Sequence, residues 1–220
     1  MTNYYIQIHL LSDTTFGRGD GVAGLIDQEV EHDALGLPYL RGRALKGLIA
    51  EECENLINQF SSEQRSHWQT VADNLFGTLG STLHTIAAAH FGDACLPLEL
   101  QEAIAYQIEQ KSLRPLEVLN ALTTIRRQTA IDPTTGAPDK GSLRAAHVIF
   151  RKQVFTAEVT FSQSLSDDNM VSLLALGTVA LRRLGSCRNR GRGHVRCLLL
   201  NAKRENITQA SLAAFKSGVR

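Results

Sequence analysis

Nine residues near the C-terminal end of the chain carry its densest chemistry. Gly185-Ser186-Cys187-Arg188-Asn189-Arg190-Gly191-Arg192-Gly193 interleaves three glycines with three arginines. Glycine lets a backbone come close to a ligand, and a guanidinium makes forked contacts with phosphate oxygens. Such a loop suits a sugar–phosphate backbone gripped without regard to base identity. A solvated turn is the plainer alternative, but the stretch from Leu181 to Arg204 holds eight basic residues and no Asp or Glu. A second basic cluster, Arg41, Arg43 and Lys46, opens an apolar stretch and also contains no acid. At the start of a helix, free N–H groups and the positive dipole end favour an anion, whereas basic side chains there are unfavourable for the helix itself.

Asp27 is the candidate for bond-breaking chemistry. It ends the apolar pair Leu25-Ile26 in a glycine-rich stretch and is followed by Glu29, Glu31 and Asp33. One carboxylate beside a phosphodiester can hold a divalent cation or take the proton of a 2′-hydroxyl. Acids in loops are ordinarily just solvated, so spacing alone does not single Asp27 out. His9, His32 and His194 stand in no recognisable pattern. The cysteines Cys53, Cys95, Cys187 and Cys197 form no CxxC pair and have no histidine at zinc spacing, which predicts reduced thiols.

The elements that must position these groups are legible from periodicity. Tyr4 to Leu11 alternates apolar and polar residues and reads as a strand. Leu45, Leu48, Ile49, Cys53, Leu56 and Ile57 fall at helical spacing within Ala44–Phe60. Ile86–Leu96 reads as a buried strand, and Leu98–Gln110 as a short helix or an insertion. Val118–Ile125 is ambiguous. Ile131–Gly141, with two prolines and two glycines, must be a projecting turn or loop, flanked by Arg126, Arg127 and Arg144. Gln153–Phe161 alternates as a strand with one wet face, Asn169–Leu184 reads as a helix, and His194–Leu200 as a closing strand. The order is βαββαβ, which predicts an α+β, ferredoxin-like (RRM-like) fold with inserted loops.

Composition bounds the rest. The chain has 220 residues, 43% hydrophobic and 20% charged, enough apolar content for a proper core. The net charge is only +1, so the case for an anionic partner rests on where the basic residues lie rather than on their sum. Aromatics are 6%, and the last strand has none, against a base-stacking sheet of the usual RRM kind. No apolar run approaches the roughly 18 residues of a membrane span. Met1-Thr2-Asn3-Tyr4-Tyr5 lacks the basic start and cleavage site of a signal peptide, so a cytoplasmic protein without a membrane partner is expected.

In register, these pieces resemble the RAMP superfamily, and more narrowly the backbone subunit of type III CRISPR effector complexes. The resemblance rests on Leu25-Ile26-Asp27, Gly36 to Gly47, Asn74-Leu75-Phe76-Gly77, His90-Phe91-Gly92-Asp93-Ala94, Thr129 to Lys140, and Leu184 to Gly193. Arg43-Ala44 stands where the family often has paired serines, as in III-D-like more than III-A-like members, and Thr14-Thr15-Phe16 replaces a histidine common in the first glycine loop.

The resemblance implies a prokaryotic, cytoplasmic subunit whose copies line a guide RNA (crRNA) beside homologous backbone subunits and other effector subunits. It divides the single domain 1–220 into a palm (1–124 and 149–204), a thumb hairpin (about 125–148) and a C-terminal tail (205–220). Arg18, Arg41, Arg43, Lys46, Arg126, Arg127, Arg144, Arg188, Arg190 and Arg192 would contact RNA. The thumb, with Asp132, Pro133, Thr134 and Lys140, would pry open one step of the guide–target duplex. Asp27 would cut target RNA there with Mg²⁺ or another divalent cation, which Asp27 would help hold, leaving a cyclic phosphate. Two alternatives remain: a purely architectural crRNA-binding subunit, and a RAMP endonuclease that processes precursor crRNA. The second needs a catalytic histidine, for which His9 and His32 are the available positions. A ferredoxin-like metabolic enzyme would need pocket chemistry that the sequence does not display.

Overall fold

The first strand shows why the chain folds as it does: Ile6, Ile8 and Leu10 are buried, and Tyr5, Gln7 and His9, which alternate with them, are not. This is the period-two pattern of a sheet covered on one face. A computed structural model describes residues 2–19, 26–78, 87–162, 168–188 and 190–218. The elements in chain order are β1 (Thr2–Leu10), α1 (Gly42–Ile57), α2 (Ser62–Phe76), β2 (Ala89–Phe91), α3 (Leu98–Glu109), α4 (Pro115–Leu122), β3 (Thr123–Gln128), β4 (Arg144–Ile149), β5 (Val154–Phe161), α5 (Asp168–Ala180), β6 (Val195–Leu200) and α6 (Thr208–Gly218). The main sheet has the order β2-β5-β1-β6, and all its neighbours are antiparallel. With helical crossovers after its first and third strands, this is the ferredoxin-like arrangement that the sequence predicts.

The covered face is lined by Ile6, Ile8, Phe155, Ala157, Val159 and Leu199. Against it pack Leu45, Ile49, Cys53 and Ile57, one stripe of α1 at four-residue spacing, and Met170, Leu173 and Leu174 of α5. On the other face His9 stands opposite Arg196. Partial burial and that guanidinium lower the His9 pKa. Cys53 and Cys197 are buried free thiols, pushed up to about 12 by desolvation, which accords with inert, reduced cysteines.

Several expectations are corrected. The strand expected over Ile86–Leu96 shrinks to Ala89–Phe91, Ile86 itself lying outside the described residues. The physical reason is Asp93: its Oδ1 accepts the N–H of Gly42 at 2.7 Å, so the chain leaves the sheet to cap α1. Ala94 and Cys95 then make single bridges to Leu40 and Thr156. The helix expected to reach Leu184 ends at Ala180, because Arg183 pairs in β fashion with His194. The ambiguous Val118–Ile125 is divided, helix to Leu122 and strand from Thr123. The segment set apart as a tail contains α6, whose Phe215 is buried with its ring 4.4 Å from that of Trp68 on α2, so it belongs to the core.

Ile131–Gly141 lies at the end of an antiparallel hairpin, β3–β4, with register from Thr123↔Ile149 to Gln128↔Arg144. Its tip is organised by Asp132, which accepts the N–H of Thr134 at 2.8 Å and the hydroxyl of Thr135 at 3.0 Å. Those bonds hold its carboxyl below the usual range. No helix among the described residues is long and apolar enough to cross a membrane.

Candidate nucleic-acid interface

The glycine–arginine loop is closed at its neck by main-chain bonds. Leu184 N–H donates to Gly193 O at 2.9 Å, and Ser186 N–H to Thr15 O at 2.9 Å. Gly193 has φ +70°, and a Cβ there would sit 1.9 Å from the Leu184 carbonyl oxygen; Gly185 has φ +83°, and a Cβ there would sit 2.5 Å from the Thr15 carbonyl oxygen. Only glycine fits these two positions, so they bring the loop onto the segment after β1. Asn189 lies outside the described residues.

Asp27 arrives from another direction. Its backbone N–H donates to Ala145 O at 2.8 Å, and its carboxylate Oδ2 accepts the Ala145 N–H at 2.6 Å. His147 N–H then donates to Gln28 O at 2.9 Å, so the segment runs parallel along β4. Leu25, before it, lies outside the described residues.

A cavity of about 530 Å³ joins these parts, lined by Asp27, Gln128, Arg144, Arg188, Arg190 and Arg192 among others. Two hollows adjoin it across Gln128. One includes Arg144 and Arg190, and the other Arg126, Arg127, Arg151 and Arg192. A basic track therefore crosses the base of the hairpin. Part of its charge is already compensated: Arg126 pairs with Asp13 at 2.9 Å, and Arg188 reaches Glu51 of α1 at 3.5 Å. Arg192 differs. It is 7% exposed, and its Nη1 is buried with no hydrogen-bond partner among the described residues. A buried guanidinium nitrogen left unpaired is costly, and an anion in the cavity would supply the missing acceptor.

The second basic cluster is placed otherwise. The N-terminus of α1 takes its anion from within, as Asp93, and Arg41 is paired with Glu31 at 2.9 Å. Arg43, Gly47 and Glu51 lie on one stripe of the helix, so Arg43 stands about 12 Å along the axis from the glutamate that meets Arg188. Arg43 and Lys46 line none of the three hollows. The cavity is thus formed by the glycine loop and the hairpin, and α1 meets the loop through its own Glu51 at Arg188. Partial burial lowers the Lys46 pKa. Arg18 is exposed, its N–H donating to Glu29 O at 3.2 Å. Pro133, Thr134 and Lys140 are exposed at the hairpin tip, away from the cavity lining.

Burial alone would raise the Glu31 carboxyl, but hydrogen bonds from Arg41 and Tyr39, with the charges of Arg41 and Arg18, hold it below the usual range. A depressed carboxyl stabilises the fold above its ordinary value of 4.5 and loses that contribution as pH falls through the depressed one. Glu31→Gln is expected to flatten the acid limb of the stability–pH curve below about pH 4.5, read from urea midpoints across the acid range.

Sequence reasoning missed Gln128, Arg151 and a buried polar group, His147, which is 7% exposed on β4. Gln128 and Arg151 carried no signal beyond their proximity to arginines or to a strand. His147 lies in the otherwise apolar run Ala145-Ala146-His147-Val148-Ile149, where a polar residue needs partners, and that was the available signal. Among the described residues no group of three His, Cys, Asp or Glu is placed to hold a metal ion. Asp27 is the one carboxylate in the described lining of the cavity. A divalent cation there would take its other ligands from phosphate and water, which fits an ion carried with RNA better than a resident one.

The chain thus combines a four-stranded ferredoxin-like sheet with an inserted basic hairpin and a glycine–arginine loop. The RAMP superfamily model matches residues 7–196, and the chain belongs to that superfamily. Two solved structures share the fold. One, described as the type III-B Cmr-beta complex bound to cognate target RNA, contains a chain 15% identical, with TM-score 0.62 and coverage of 96% of this chain and 98% of that one. The other, the apo state of type III-B Cmr-beta, contains a chain 16% identical, with TM-score 0.62 and coverage of 91% and 97%. Among curated proteins none gives a significant match.

Proposed function

We propose that this protein is a guide-RNA-binding backbone subunit of a type III CRISPR effector complex, assembled with crRNA, further backbone subunits and other effector subunits, and that it cuts target RNA through Asp27. One observation carries the reading: Asp27 shares a cavity with Arg144, Arg188, Arg190 and the buried Arg192, whose Nη1 has no partner among the described residues. Superfamily membership and the fold shared with chains of the Cmr-beta complexes support it. Pairing between guide and target would supply sequence recognition, so the protein needs only backbone contacts. Many arginines and few aromatics meet that need.

In the proposed reaction the 2′-oxygen of a displaced nucleotide attacks the neighbouring phosphorus. The Asp27 carboxylate takes the 2′-hydroxyl proton, the bond from phosphorus to the 5′-oxygen breaks, and solvent protonates that oxygen. The products are a 2′,3′-cyclic phosphate and a 5′-hydroxyl. Arg144, Arg188 and Arg190 hold the phosphates on either side of the reacting one, and Arg192 lies beneath them. A divalent cation, when bound, would add positive charge at the phosphodiester.

The RNA-binding half is tested by what the purified chain carries. Expressed with a CRISPR array and effector partners, it should elute with a high 260/280 absorbance ratio and yield short RNAs of array sequence. Nucleic-acid-free complexes of normal composition would contradict it.

A specific observation keeps the architectural alternative open. Asp27 Oδ2 is already engaged by the Ala145 N–H, so the residue also anchors the hairpin.

A further inference from the structure

Beneath the cavity floor lies a polar chain that the proposed reaction does not use. His147 Nδ1 is 2.6 Å from Glu29 Oε1, and its Nε2 is 2.6 Å from Thr123 Oγ1. Both side chains of this pair are nearly buried, Glu29 with 13% of its side chain exposed and His147 with less. The Thr123 hydroxyl donates to the Leu119 carbonyl at 2.5 Å, and Thr15 donates to the His147 carbonyl at 2.8 Å. A hydroxyl has one proton and a carbonyl has none. With that proton given to Leu119, the Thr123 oxygen is left as an acceptor beside Nε2, and the Glu29 carboxylate is the acceptor beside Nδ1. The chain thus ends on a main-chain carbonyl at one side and a carboxylate at the other. Thr123, buried and already donating, is no nucleophile.

The position of this chain gives it meaning. The extended segment and β4 form two successive rungs, Asp27 on Ala145 and Glu29 on His147, with Gln28 bonded between them. Side chains two residues apart in an extended chain share a face, so Asp27 and Glu29 both lean on β4. The first rung ends in an exposed carboxylate, and the second is a nearly buried side-chain pair. We infer that Glu29, His147 and Thr123 form a positioning clamp that fixes the Asp27 carboxylate against the hairpin, so that its free oxygen faces the cavity in one orientation. None of the three touches RNA in this account; they act through Asp27.

This inference rests on the reading of Asp27 as the proton acceptor, and the experiment separates the two. Single-turnover cutting and target affinity are measured in the assembled effector complex with matched target RNA and Mg²⁺. Glu29→Ala should slow cutting at saturating target by about 10- to 100-fold, the scale expected for sub-ångström to ångström misplacement of a reacting group. Target affinity should stay within about twofold, and Glu29→Gln, which keeps an acceptor for Nδ1, should recover most of the rate. Thr123→Val, which removes the far partner with little change of shape, should slow cutting several-fold in the same manner, and it decides the matter if Glu29→Ala does not assemble. Unchanged cutting in these variants, or cutting and affinity falling together, overturns the clamp. Normal cutting by an Asp27 variant would instead overturn the proposed function itself.

Discussion

Replacing Asp27 with Asn should abolish target cutting in the assembled complex while leaving guide loading and target binding intact. The choice of Asn matters. Asp27 has two jobs in this structure, anchoring the hairpin through Ala145 N–H and presenting a carboxylate to the cavity. Asparagine retains an oxygen to accept the Ala145 bond but cannot take a proton, so the anchor survives and the chemistry does not. General base catalysis contributes roughly 10²- to 10⁴-fold, which sets the expected drop in single-turnover rate. Asp27→Ala should reach the same rate floor and in addition loosen the hairpin, seen as a lower melting temperature. Cutting at the regular spacing by Asp27→Asn at the wild-type rate would assign Asp27 to anchoring alone and leave the architectural reading.

Simultaneous replacement of Arg188, Arg190 and Arg192 by Ala should have the largest effect on guide loading. If each loses one charge-assisted phosphate contact at a modest 1 kcal/mol or so, affinity for single-stranded RNA falls by roughly 100-fold. The dependence of log affinity on log salt should also become shallower by about 2, from about 0.7 per phosphate contact on a single strand. Arg43→Ala should do much less, because Arg43 lines none of the basic hollows and Glu51 stands between it and Arg188. An unchanged salt slope in the triple variant would refute the assignment of this loop to phosphate. A triple variant that is merely less stable would keep the wild-type slope at lower active concentration, so the slope discriminates.

What could be read in advance follows from how local each signal is. The alternation in β1 and β5 and the four-residue stripe of α1 depend on neighbours in sequence, and they place the sheet and its crossovers correctly. The end of β2 depends on Asp93 reaching Gly42, 51 residues away, and no local pattern announces that bond. α6 has few apolar positions and so little local signal, and its Phe215 finds a partner in Trp68 across the chain. In the site, the glycine–arginine loop is visible in advance because its glycines and arginines are contiguous, and Gly185 and Gly193 fix its neck. At the start of α1 the conflict between basic side chains and the helix dipole is met by carboxylates from elsewhere, Asp93 on the Gly42 N–H and Glu31 on Arg41, which sequence alone does not show. The clamp of Glu29 and His147 joins residues 118 apart, which only the folded hairpin brings together.

The most direct measurement is photo-crosslinking of a complex loaded with guide RNA containing 4-thiouridine, followed by mass spectrometry of the attached peptides. Crosslinks should fall on the glycine–arginine loop and on the hairpin base around Gln128 and Arg144, and shift within that set when target RNA is added. Crosslinks confined to α3, α4 or the outer face of α2, with none at the loop or the hairpin base, would contradict the claim that RNA runs through the cavity beside Asp27.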